Sequence, residues 1–317
     1  MSDSFTLADI EAARARIAPL VHRTPLTRNR TLSERLGTNL YLKAEVFQKT
    51  GSFKVRGAFN KMLSLGEAAR ERGVVAMSGG NHAQAVAYAA HELGVRALIF
   101  IPEATPKNYV RATQGYGAEV SIVPTPADGF REMYEHGERG WIVVHPFDDP
   151  LVMAGQGTVG LEIVNDVPAV TDVLVSIGGG GLMGGVSTAV KSLRPQARVW
   201  GVETEGANCM AQALAAGRVI TLSAITSIAR TLGAPAASEA TLALARKYLE
   251  SVTVVSDAEA MVALRLLLER TKILTEPAAS CTLAAAERLR SRFSPDDHVV
   301  LVLCGGNLAL DDLCRLA

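Results

Sequence analysis

Apolar residues in this chain gather in short β-branched runs. These are LYLKAE (40–45), GVVAMS (73–78), ALIFIP (97–102), AEVSIV (118–123), WIVVH (141–145), DVLVSIG (172–178), RVWGVE (198–203), SVTVVS (251–256) and VVLVLCGG (299–306). Between most of them lie Ala/Leu-rich stretches with helical character, such as HAQAVAYAAHELG (82–94) and AEAMVALRLLLERTKIL (258–274). Strands alternating with helices predict parallel sheets covered by helices on both faces. Nine runs exceed what one six-stranded sheet uses. The pattern therefore predicts an α/β fold of two doubly wound, mostly parallel-sheet domains. The larger is expected from residues 1–66 and 150–317, and a smaller inserted one, residues 67–149, closes over the cleft. No Gly/Ser-rich linker parts them and no repeat of fixed period is visible.

Composition narrows the function. A chain of 317 residues, 48% hydrophobic and 20% charged, buries a sizeable core and is not disordered. Lys+Arg and Asp+Glu balance at 32 each, so no basic excess points to nucleic acid and there is no acidic tail. A mean hydropathy of +0.19 is high for a monomer and suggests a buried homo-oligomeric interface, as in a dimer. The first residues, MSDSFTLADIEAARARIAPL, do not read as a signal peptide, and no run reaches the ~18 apolar residues that span a bilayer. A cytoplasmic protein without a membrane partner is expected. Cys209, Cys281, Cys304 and Cys314 lack paired spacing, which fits reduced thiols and no zinc site.

In parallel α/β sheets, ligands bind beyond the carboxyl ends of the strands. Three such ends carry glycine-rich turns: MSGGNHAQ, SIGGGGLMGG and LCGGN, while TGSFK begins a helix. Gly178, Gly179, Gly180 and Gly181, followed by Leu182, lie between a strand and a helix. Backbone N–H groups there close on an anion with help from the helix dipole, and phosphate is the natural anion. A tight turn alone would not repay the chain entropy of four consecutive glycines. The same loop matches G-x-G-x-x-G through Gly179, Gly181 and Gly184, with Glu203 after the next strand. That is the spacing of a dinucleotide site and supports a nicotinamide oxidoreductase as a second reading. It leaves TGSFK and SGGNH unexplained.

Ser78, Gly79, Gly80, Asn81 and His82 open a helix with free N–H groups and polar side chains, a combination suited to a carboxylate. A helix cap alone needs only one of them. Lys49 and Lys54 flank small residues in FQKTGSFKVRG (47–57). A lysine, a phosphate cradle and a carboxylate clamp have one joint explanation. The phosphate belongs to pyridoxal 5′-phosphate, the lysine forms its Schiff base, and the carboxylate is that of a small amino-acid substrate.

FQKTGSFKVRGA, SGGNHAQ, HPFDDP, AGQGT, GGGGL, TEPAA and LCGGN, in this order and spacing, resemble the fold-type II pyridoxal-phosphate enzymes, in the serine/threonine dehydratase and serine racemase branch. The resemblance covers nearly the whole chain and implies a tryptophan synthase β-like fold with the cofactor in the cleft. It implies that Lys54 carries the cofactor and later acts as the α-proton base. Phe53 then packs near the cofactor, Asn81 bonds its 3′-oxygen, Gly178 to Gly181 and Leu182 hold the phosphate, and Cys304 faces the ring nitrogen. Ser78, Gly79, Asn81 and His82 bind the substrate carboxylate, and Lys49 is an ordinary polar lysine. The chain ends soon after LCGGN, so it resembles the catalytic domain alone.

The implied reaction is that of a lyase removing water and ammonia from a β-hydroxy-α-amino acid to give a 2-oxo acid. Three departures qualify it. Serine racemases carry a serine directly before Gly-Asn-His; here that position is Gly79, so little racemisation is expected, and a racemase is the alternative within the family. Relatives bind a divalent ion through a glutamate, a backbone carbonyl and an aspartate; Glu203 and Ala207 match, but Cys209 replaces the aspartate, so no metal is expected. Arg230 in SIARTLGAP stands where relatives read IADG. It borders the substrate and would suit an anionic β-substituent, as in 3-hydroxyaspartate, or an aromatic one, as in phenylserine. HPFDDP places Phe147 near the same region, which favours an apolar or aromatic β-substituent.

Overall fold

The computed structural model describes residues 6–309 and 313; Cys314 lies outside them. Its strands form two sheets. The larger contains β1 (Leu26–Arg28), β2 (Asn39–Ala44), β7 (Asp172–Ser176), β8 (Arg198–Thr204), β9 (Leu249–Val255) and β10 (His298–Leu303). Their order across the sheet is β1-β2-β10-β7-β8-β9. The smaller contains β3 (Val74–Met77), β4 (Ala97–Pro102), β5 (Glu119–Val123) and β6 (Ile142–Val143), in the order β5-β4-β3-β6. Every pairing is parallel except β1 with β2. The nine anticipated runs are all strands. The addition is β1, a three-residue antiparallel edge whose sequence, Leu-Thr-Arg, carries no apolar run.

The central strands are buried on both faces: all six residues of β4 are covered, as are Val299 to Leu303 of β10. The helix Pro150–Asp166 is buried without a break from Val152 to Val164, and its sequence is apolar on every side apart from Gln156, Thr158 and Glu162. Val152 joins the core of the smaller sheet, while Val159 and Ile163 join that of the larger. Glycines let this helix meet the helix Gly181–Leu193 closely. A Cβ on Gly160 would sit 2.8 Å from the Ala189 Cβ and 2.9 Å from the Val186 carbonyl oxygen.

A buried charge cluster locks the helix Lys54–Leu63 to this frame. Arg56 donates to both oxygens of Glu45, at 2.8 Å each, and to Glu162 at 2.7 and 3.0 Å. Lys43 pairs with the same Glu162 and donates to the Thr24 carbonyl at 2.7 Å. Two cations face two carboxylates, so the cluster is neutral and each member is hydrogen-bonded, as buried charge requires. It sits two residues from Lys54 and fixes where that side chain starts.

Candidate active site

The carboxyl ends of β3, β7 and β10 converge on a cavity of about 650 Å³ between the sheets. Ser78–Gly80 follow β3, Gly178–Gly180 follow β7, and Cys304–Asn307 follow β10. The TGSFK segment is stitched to the last loop: Phe53 N donates to the Cys304 carbonyl at 3.1 Å, and Ser52 bridges Gly305. All thirteen residues named for the site in the sequence line this one cavity, Arg230 and Leu182 included.

Lys54 opens its helix and points its amine into the cavity. Nζ donates to the Pro146 carbonyl oxygen at 2.7 Å and lies 5.1 Å from the centre of the Phe53 ring. Burial pushes its pKa down from 10.5 to about 8; the nearby Cys304 and Glu276 pull the other way. Lys49 instead lies over the Tyr88 ring, 5.7 Å from its centre, and is absent from the cavity wall.

The loop after β7 has the shape of an anion cradle. Gly180 has φ +98°, which favours glycine, and a Cβ there would press on Thr241 at 2.7 Å. A Cβ on Gly179 would fall inside the Phe147 ring, and one on Gly181 would sit 2.9 Å from the Phe147 Cα. Only glycines fit, and the N-terminus of the helix Gly181–Leu193 follows them directly. Gly184, the third glycine of the dinucleotide spacing, packs instead on Leu244, 2.8 Å from where its Cβ would be. Glu203 is not at a ribose site either: its carboxylate accepts Met210 N at 2.9 Å and Ala211 N at 2.8 Å, capping a helix.

In the loop after β3, Ser78 Oγ accepts Gly80 N at 3.0 Å. Asn81 Nδ2 donates to Glu276 Oε1 at 2.8 Å, and its Oδ1 accepts Asn307 Nδ2 at 2.8 Å. Glu276 is buried, and burial raises its carboxyl to about 7 against the hydrogen bonds of Thr231 and Asn81, which lower it. His82 has its Nε2 against the Val144 carbonyl at 2.8 Å. Burial lowers its pKa to about 3, so it is neutral, and its Nδ1 is buried without a partner among the described residues. Any carboxylate it serves is therefore met by backbone N–H groups and not by imidazolium charge. Cys304 donates to the Ala278 carbonyl at 3.5 Å, and burial raises its thiol well above the usual range, so it too is neutral.

The turn after β6 completes the wall. His145 Nδ1 accepts Asp148 N at 2.8 Å and Phe147 N at 3.3 Å, which aims the Pro146 carbonyl at Lys54 and the Phe147 ring at Gly179. Burial lowers the His145 pKa to about 4, so that acceptor lone pair stays free of a proton. Arg230, in the turn Arg230–Leu232, is exposed at the cavity mouth and has no ion pair among the described residues.

These features fit pyridoxal phosphate. A lysine with a lowered pKa faces the cavity, a cradle that any Cβ would fill stands ready for phosphate, and a neutral thiol and an amide line the same space. Sequence does not single out Glu276, Asn307 or Pro146. TEPAA, LCGGN and HPFDDP hold them, but only the fold turns them toward Asn81 and Lys54. Phe147 is placed near the substrate by sequence; the structure adds its packing on Gly179 and Gly181.

A family model described as "Pyridoxal-phosphate dependent enzyme" matches residues 17–305. L-threonine ammonia-lyase of Thermotoga maritima is 40% identical over 317 residues, covering 98% of this chain and 78% of the relative. Among solved structures, a threonine deaminase from T.th. is 42% identical with a TM-score of 0.89, covering 96% of this chain and 99% of that one. A maize serine racemase is 34% identical with a TM-score of 0.94, covering 98% and 96%. The chain belongs to the pyridoxal-phosphate dependent enzymes and has their fold-type II architecture. The nicotinamide reading of the glycine loop is thereby set aside.

Proposed function

We propose that this enzyme is a pyridoxal-phosphate-dependent dehydratase, or ammonia-lyase, that converts a β-hydroxy-α-amino acid into a 2-oxo acid and ammonia. The observation that carries the reading is the amine of Lys54, which lines one cavity with the glycine cradle and has its pKa lowered by burial to about 8. Relatives at 40–42% identity are named for this chemistry on threonine. Bound pyridoxal phosphate supplies the electron sink that acidifies the α-hydrogen.

The chain's own residues do the rest. Lys54 anchors the cofactor and, as a neutral amine, takes the α-proton. Gly178 to Gly181 and Leu182 hold the phosphate. Phe53 packs near the cofactor, and Asn81, held by Glu276 and Asn307, reads its polar edge. Cys304 offers the ring nitrogen a neutral thiol, which does not hold a proton on that nitrogen. With that nitrogen unprotonated, loss of the β-hydroxyl is favoured once the cofactor is bound. Ser78, Gly79, Asn81 and His82 meet the substrate carboxylate through the helix start. Residues 67–149 close on the substrate as a unit against 1–66 and 150–317. The enzyme works as a cytoplasmic homodimer, the dimer being supported by its positive mean hydropathy.

Arg230, without a counter-ion among the described residues at the mouth, and Phe147, in the wall, bear on which β-substituent is preferred. L-Serine, L-threonine, 3-hydroxyaspartate and phenylserine should be compared by 2-oxo acid release. Release from at least one supports the proposal, and release from none overturns it. A tenfold or greater preference for L-serine or L-threonine, about 1.4 kcal/mol, would remove Arg230 from substrate selection.

A further inference from the structure

We infer that the Thr105 hydroxyl is a side-chain donor to the substrate's α-carboxylate, in place of the side chain that residue 79 lacks. The inference rests on the reaction proposed above and adds a residue to it.

Gly79 follows β3 and Thr105 follows β4. These strands are neighbours, with Met77 opposite Phe100, and Ser78 N donates to the Phe100 carbonyl at 3.1 Å. The two loops therefore leave the sheet side by side and both line the cavity. A Cβ built on Gly79 would collide with Thr105 Oγ1, whereas Thr105 Cβ and Cγ2 would remain 3.5 Å away. It is the hydroxyl, not the methyl, that occupies the space beside Gly79. The backbone around it is fixed: Thr105 N donates to the Pro102 carbonyl at 2.9 Å, and Pro106 caps the next helix.

Among the described residues this hydroxyl has no hydrogen-bond partner, although Thr105 is only partly exposed. A hydroxyl in a cavity wall without an internal partner is available to donate to a ligand. The ligand nearest to it is the one bound by residues 78–82. A carboxylate only accepts hydrogen bonds and has about four lone-pair sites. Backbone N–H groups of the loop and the Thr105 O–H can share them. Glycine at 79 follows from the same geometry, because any side chain there would displace the hydroxyl.

The test uses the holoenzyme and three variants. Thr105→Val keeps the shape and removes the donor, Thr105→Ser keeps the donor, and Gly79→Ser combined with Thr105→Ala moves the hydroxyl from one loop to the other. Thr105→Val should raise KM about tenfold, ~1.4 kcal/mol, with kcat changed by less than about threefold, since a hydrogen bond to a charged group is lost in binding. Thr105→Ser should match the parent, and the double variant should recover most of the KM. Calorimetry with butanoate and 3-hydroxybutanoate, inert carboxylates without an amine, should show Thr105→Val weakening both equally. Unchanged KM and unchanged binding of both overturn the inference. So does weakening of 3-hydroxybutanoate alone, which would assign the hydroxyl to the β-oxygen. If the parent releases no 2-oxo acid, the proposed reaction has failed, while the calorimetry still decides the role of Thr105.

Discussion

Lys54 Nζ donates to the Pro146 carbonyl oxygen at 2.7 Å, a bond that joins the helix Lys54–Leu63, whose Val55, Ala58, Phe59 and Met62 pack in the core of the smaller sheet, to the turn following β6 of that sheet. The amine is thus positioned by an uncharged acceptor. A carboxylate salt bridge would have kept it charged; a carbonyl leaves its pKa to burial, which lowers it from 10.5 to about 8.

The pH dependence follows. At pH 7 roughly a tenth of Lys54 is neutral, against about one in 3,000 at the ordinary value. In cofactor-free protein, acetylation of Lys54 followed by mass spectrometry should rise through pH 8 and level off well before surface lysines do. Glu276 raises the Lys54 pKa, so Glu276→Gln should move the midpoint lower. A Lys54 profile that tracks the surface lysines would contradict this.

Gly179→Ala should damage the cradle. Its Cβ would enter the Phe147 ring, so either the ring or the loop must move. Overpacking of this kind costs about 1–3 kcal/mol, and cofactor affinity measured by equilibrium dialysis should fall by about tenfold or more. Parent-like affinity would show that the loop does not hold the phosphate.

Arg56→Met should be strongly destabilising. It leaves Glu45 fully buried without its main partner and Glu162 with only Lys43. Removing one member of a buried ion cluster costs about 3–5 kcal/mol, readable as a lower urea midpoint at unchanged slope. A shift below about 1 kcal/mol would mean the cluster behaves like a surface pair.

Activity should persist in EDTA. Both oxygens of Glu203 are taken by helix N–H groups, and Cys209 directs its thiol at the Gly178 carbonyl, 3.6 Å away. Burial pushes that thiol up to about 12, far from the thiolate a metal would need. Complete loss in EDTA with recovery on adding magnesium would contradict this.

The parts of the site legible in sequence are those in which one short segment contains its own chemistry. Gly178–Gly181 at a strand end, Ser78–His82 at a helix start and Lys54 among small residues each read locally, and the fold brings all three to one cavity. Partners made by tertiary contact do not read. Glu276 and Asn307 matter because they grip Asn81 from chain positions 195 and 226 residues away. Thr105 matters because β3 and β4 are adjacent, a pairing that no local pattern specifies. Arg230 is marked by sequence alone; its lack of an ion-pair partner among the described residues needs the structure. The edge strand β1 escapes because three residues that pair antiparallel at the sheet edge leave no apolar periodicity to detect.

The central claim is that Lys54 is the residue to which the cofactor is joined. Borohydride reduction of the holoenzyme, followed by peptide mass spectrometry, fixes that carbon–nitrogen link in place. The predicted result is a phosphopyridoxyl group on the peptide containing Lys54, together with loss of an absorption band near about 410 nm in Lys54→Ala. A group on another lysine, or a Lys54→Ala protein that keeps both the band and turnover, would contradict the account.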